Sequence, residues 1–165
     1  MLAHLERVAS GSCQFDHGVG VEQDGLTLRL TNRLAEIPRS AEQVDAFCAR
    51  QGVAASVGFA INVSLEELLG NTMAYGYGDD REHEIVVRIW REDADLVIDI
   101  ADDARPFDPT GVAPPDLDMS LEERPIGGLG IQLVRGMMDS VEYRYDGMQN
   151  HTRLRKRVAM PPAAG

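Results

Sequence analysis

At 165 residues and 44% hydrophobic content, the chain has the size and apolar share of one soluble globular domain with a proper core. Its 27 acidic residues outnumber 16 basic ones, and the formal net charge of -11 argues against nucleic acid or an anionic membrane surface as a direct partner. No stretch approaches the roughly 20 apolar residues of a spanning helix, and His4, Glu6 and Arg7 interrupt the apolar run a signal peptide needs, so a cytoplasmic protein is expected.

Residues 1–25 mix a short helical possibility at Leu2, Leu5 and Val8 with a Gly-rich stretch, Gly11 to Gly25, of no sustained period, and are set aside as an N-terminal extension; the Pro-Pro-Ala-Ala-Gly end reads as a tail over 160–165. Leu26 to Thr31 alternates apolar with polar, the mark of a half-buried strand. Ser40 with Gln43 three residues on predicts a capped helix that carries Val44, Phe47 and Cys48 and stops at Gly52. From Ser56 to about Tyr75, apolar residues recur at helical spacing until Gly76-Tyr-Gly78 breaks the pattern. Glu84 to Arg91 and Asp95 to Asp102 alternate around the polar link Glu92-Asp93-Ala94, which predicts an antiparallel hairpin. Residues 103–127 carry five prolines and no period, a length of loop that is often functional, frequently as a lid. A helix is expected from the glycines at 127–130 to about Asp139, then strands Val141–Tyr145 and His151–Val158 around Asp146-Gly147. The sum is an α+β fold, a two-layer sandwich of a mostly antiparallel mixed sheet with helices on one face. Cys13 and Cys48 form no CxxC, and the four histidines lack ligand spacing, so free thiols are expected and a structural zinc site is not.

Three segments carry chemistry. In the long helix, Glu67 and Asn71 stand four residues apart and so project from one face. An amide oxygen suits magnesium, and a neighbouring carboxylate left free can accept a proton or orient a hydroxyl; a solvated helix face would look the same. At the end of the second hairpin strand, alternation carries Asp102 onto the apolar face of Leu96, Ile98 and Ile100, where a buried acid needs a donor such as a purine amine. A strand-ending turn is the alternative. Gly127-Gly128-Leu129-Gly130 precedes a helix, and glycines there let backbone amides approach phosphate oxygens, although a plain loop also uses glycine.

In this order and spacing, the segments resemble the GHKL ATPase superfamily. Asp102-Asp-Ala-Arg-Pro-Phe-Asp-Pro109, Gly127-Gly-Leu-Gly-Ile131 and Met138-Asp139 followed by Asn150 are most similar to the anti-sigma-factor serine kinases of bacterial partner switching. The resemblance covers about residues 26–159 and implies an ATP-binding kinase domain there. It implies Glu67 as catalytic base, Asn71 as magnesium ligand, Asp102 as the adenine-reading acid, and Gly128 and Gly130 as phosphate contacts. Ala104, Phe107, Gly127, Leu129 and Ile131 complete the expected nucleotide contacts, with Arg124 as a candidate for the γ-phosphate. The implied cofactors are ATP and Mg2+. The implied partner is a small anti-sigma-factor antagonist phosphorylated on serine or threonine, with a sigma factor and a homodimer as further expectations.

Two positions depart from the family pattern. Ala104 replaces the usual glycine beside the adenine site, and Tyr75 stands where a histidine often follows the asparagine. Two other readings stay open: the ATP-binding half of a histidine kinase, for which no helical hairpin surrounds His4 or His17, and a sequestering module that binds nucleotide without transferring phosphate.

Overall fold

The structure, a computed structural model, describes residues 25–113 and 128–158. In chain order it contains β1 (Leu26–Thr31), α1 (Glu36–Arg50), α2 (Ala55–Asn71), a π turn (Thr72–Gly76), β2 (Glu84–Glu92), β3 (Asp95–Asp102), α3 (Gly128–Met137), β4 (Ser140–Tyr145) and β5 (Asn150–Arg157). The strands lie in the order β1-β2-β3-β5-β4, and every described pairing is antiparallel. The sheet expected as mostly antiparallel and mixed is thus wholly antiparallel among the described residues. Short hairpins supply two of its pairings, and β5 returns beside β3 in the opposite sense.

Alternation sorts the sheet into two faces. Leu28, Leu30, Ile85, Val87, Ile89, Leu96, Ile98, Ile100 and Leu154 face the helices and join Val44, Phe47, Ile61, Leu65, Leu69, Ile131 and Val134 in one buried core. The other face presents Arg88, Asp99, Arg153 and Glu142 as one cross-strand row of alternating charge. Arg153 Nε donates to Asp99 Oδ1 at 3.2 Å, which pays for the burial of that carboxylate.

The first helix corrects one expectation. Ser40 is not its N-cap: α1 begins at Glu36, and the buried Ser40 hydroxyl donates back to the Ile37 carbonyl at 2.8 Å. Pro38 makes the early start possible, because the first-turn N–H groups of a helix have no partner inside it and proline lacks one. The predicted stop at Gly52 stands. Gly52 takes φ +64° and donates to the Ala49 carbonyl while Val53 donates to Cys48, a left-handed cap that tucks Val53 against the core. Cys48 is a free buried thiol, as expected; Cys13 lies outside the described residues.

The predicted β2–β3 hairpin is observed one residue longer on β2, with Asp93 at φ +53° in the turn. β5 begins at Asn150 rather than His151. That added residue pairs with Asp102 across β3, and the site depends on it. The extension over 1–25, most of the proline-rich segment, Arg124, Gly127 and the tail fall outside the described residues, apart from Gly25 and residues 103–113. No described helix is long and apolar enough to cross a membrane.

Candidate functional site

Asp102 ends β3 with only 5% of its surface exposed. Its carboxylate is held by two donors, both on Oδ1: the Ala104 amide at 3.0 Å and Asn150 Nδ2 at 2.8 Å. Oδ2 receives no hydrogen bond from a described residue and remains for an incoming donor. Burial pushes the Asp102 carboxyl above its usual range, against the lowering effect of the Asn150 and Ala104 bonds.

Asn150 organises this corner. Besides Asp102, its amide nitrogen bonds the Ala104 carbonyl at 3.0 Å, and its oxygen accepts from the Tyr143 hydroxyl at 2.6 Å. One buried amide therefore ties the turn after β3 to both closing strands. Sequence reasoning used Asn150 only as a mark of family likeness. Tyr143, two residues into the Val141–Tyr145 alternation, gave no signal of its own.

The turn packs against the end of α2. A Cβ added to Gly76 would stand 2.8 Å from the Ala104 Cβ, so the glycine of the π turn clears the space that the Ala104 methyl fills. Ala104 is buried, and the Arg105 amide donates to the Gly76 carbonyl at 3.0 Å. The alanine in place of the family's usual glycine is thus accommodated by a glycine on the facing element. Phe107 lies farther along, half exposed at 52%, before a turn in which Asp108 Oδ1 accepts from the Thr110 amide and hydroxyl.

Glu67 and Asn71 are half-buried on α2 and precede Gly76 on the same continuous helical run. Glu67 also meets α3, since a Cβ on Gly130 would fall on its carboxylate. Only glycine at 130 permits that approach. The helix begins at Gly128, so the amides of Leu129, Gly130 and Ile131 lie in its first turn, where N–H groups lack intrahelical partners and the helix dipole favours an anion. Ile131 gives its side chain to the core at 1% exposure and has only backbone to offer a ligand, while Leu129 projects outward at 74%.

The described residues thus form one row: the α3 entrance at Gly130, Glu67, Asn71, Gly76, Ala104 and Asp102. Glu67 to Gly76 alone spans roughly 13 Å of helix. A basic or amide-bearing group at one end and an anion at the other would both be served. Among the described residues no three acidic, histidine or cysteine side chains converge on a metal position.

Comparison with known proteins finds similar chains. The chain is 26% identical over 96 residues to the serine/threonine-protein kinase BtrW of Bordetella bronchiseptica, covering 58% of this chain and 68% of that one. It is 26% identical over 105 residues to the serine-protein kinase RsbW of Listeria monocytogenes, covering 58% and 67%. The solved structure of the RsbU and RsbW domains of a Mycobacterium tuberculosis protein superposes with a TM-score of 0.62 over 83% of this chain. At 15% identity that likeness speaks for the fold, and this chain spans 33% of that protein's length. Residues 30–156 match the histidine kinase-like ATPase domain, and the chain belongs to that family.

Proposed function

We propose that this chain is an ATP-dependent protein serine/threonine kinase of the anti-sigma-factor type. The observation that carries the reading is the unbroken row from Gly130 and Glu67, through Asn71, to Asp102, whose Oδ2 takes no hydrogen bond from a described residue. Asp102 would accept the adenine amine, with Ala104 and Gly76 closing the edge of its pocket. Phosphate oxygens would lie at the amides of the α3 entrance, where glycine keeps side chains out of the way. The two kinase relatives support this assignment by their names and by the segment they share.

The donor set suits Mg2+, which takes few protein ligands and completes its shell with water and phosphate. Asn71 is the residue that would hold it. Bound there, the ion would neutralise charge on the phosphates. Glu67 orients or deprotonates the acceptor hydroxyl, and its carboxylate is steered toward the transfer end by contact with Gly130. Phe107, Leu129, Gly127 and Arg124 would be further nucleotide contacts in this reading, with Arg124 the candidate for the γ-phosphate. Positioning and charge neutralisation supply most of the rate.

The acceptor would be a serine or threonine on a small anti-sigma-factor antagonist, and a sigma factor or similar regulator would be a second, sequestered partner. The acidic field of this chain suits a partner with a basic surface. Assembly as a homodimer belongs to the same proposal. Calorimetry of ATP and ADP binding with and without Mg2+, followed by transfer of labelled phosphate to candidate antagonists, tests it. Magnesium-dependent binding and acid-stable phosphoserine are the expected results. A folded protein that takes up no nucleotide would end the reading, and an acid-labile phosphate would move it to histidine transfer.

A further inference from the structure

The segment from Tyr77 to His83 links the π turn to β2 and runs beside the turn after β3. His83 is enclosed there, its side chain 11% exposed. Its Nδ1 lies 3.0 Å from Asp103 Oδ2, and its Nε2 lies 2.9 Å from Asp79 Oδ1. Carboxylates only accept hydrogen bonds when ionised, so both ring nitrogens must donate, and only the imidazolium can do that. The ring also stacks on Tyr77, centroid to centroid 4.3 Å at 25°. His83's own backbone is fixed, its amide donating to Asn32 Oδ1 and its carbonyl accepting from the Asn32 amide.

The charges around the ring are unequal. Asp79 also accepts from the Arg81 amide and Nε. On the β1 side, Arg29 and Arg33 are engaged by Glu84 and Glu82. Arg105 lies against Gly78, and Asp102 stands behind Asp103. The two bonded carboxylates raise the His83 pKa above its ordinary 6.5, Asp79 first and Asp103 second, against a smaller opposing cost of burial.

Asp103 adjoins Asp102, and the Arg105 amide bonds Gly76, so whatever holds residues 77–83 to Asp103 also holds the wall of the adenine corner. We infer that protonated His83 is a positioning residue for the nucleotide site: bridging Asp79 and Asp103, it latches residues 77–83 onto the turn bearing Asp102 and Ala104, and nucleotide affinity falls when it deprotonates. This rests on the nucleotide reading of the Asp102 corner. The latch is complete below the ordinary histidine pKa and is lost as pH rises through the higher folded value.

The test uses the full chain and Mg-ADP as probe. Calorimetric affinity from about pH 6 to about pH 9 should fall roughly three- to tenfold for wild type, the worth of one net hydrogen bond. His83→Gln should bind at the alkaline wild-type level throughout, with a flat profile. Independently of nucleotide, the His83 ring resonance should titrate above 6.5 and move back toward it in Asp103→Asn. Parallel pH profiles in wild type and His83→Gln would overturn the inference, as would a ring titrating at or below 6.5 in the free protein. Absence of nucleotide binding at every pH would defeat the nucleotide reading alone, and the ring titration would still decide whether the latch exists.

Discussion

At the Asp102 end of the site the polar groups other than Asp102 Oδ2 are answered by described residues, whereas the Glu67 end is left open. Asp102 Oδ1, Asn150, Ala104 and Tyr143 form one connected set of bonds, three of them buried and the Tyr143 bond part-buried. The Glu67 and Asn71 side chains, by contrast, receive no hydrogen bond from a described residue and are only half-buried. The difference matches two tasks. A pocket that reads a base gains from being preorganised, because ordering it at each encounter would subtract from affinity. Groups that must engage a metal, a phosphate and a hydroxyl need their lone pairs free until those arrive.

That contrast can be broken at either end. Changing Glu67 to Gln keeps the shape beside Gly130 and removes the base, so single-turnover phosphotransfer should drop about 10²- to 10⁴-fold while calorimetric nucleotide affinity holds. Similar transfer rates in both proteins would take Glu67 out of the chemistry.

The closed end should respond in stability as well as binding. Asn150→Ala removes one bond each from the buried Asp102 carboxylate, the Ala104 carbonyl and the Tyr143 phenol. Urea unfolding should show a loss of about 2–3 kcal/mol, with weaker ADP binding. Gly76→Ala forces a methyl onto the Ala104 methyl and should cost about 1–3 kcal/mol. Adding Ala104→Gly should return most of that loss, a coupling that a double-mutant cycle reads directly.

The smallest effect lies away from the site, in the β4–β5 turn. Asp146 Oδ1 accepts from the Met148 and Gln149 amides and Oδ2 pairs with His151 Nε2 at 2.9 Å, holding the Asp146 carboxyl well below the ordinary 3.8. A depressed carboxylate stabilises the fold above its unfolded pKa and loses that contribution as pH falls through the folded one. Thermal midpoints should therefore decline more steeply on acidification below about pH 4 in wild type than in Asp146→Ala.

Much of the fold was legible because its signals are local. The β2–β3 hairpin announced itself through two alternating runs and a short polar link, and α2 through its apolar spacing. The start of α1 was misplaced because Ser40 satisfies a capping pattern, while the permissive place of Pro38 in a first turn shows only once the turn is built. Glu67, Asn71 and Asp102 were marked by residue type and spacing. Asn150 was not assigned a role, since its partners lie across a strand pairing between distant parts of the chain. His83 was counted only among four histidines without ligand spacing; its two acids come from its own loop and from the turn after β3.

The sequence by itself determined the periods: which residues alternate, which recur every three or four, and where glycine interrupts them, because backbone geometry imposes those rhythms residue by residue. Tertiary structure alone decided which distant groups meet. Gly76 against Ala104, Glu67 against Gly130, and Asn150 on Asp102 are consequences of how the helices lie on the sheet and of how β5 pairs with β3. Contact between such groups depends on packing the whole core, and no local window of the chain contains that information.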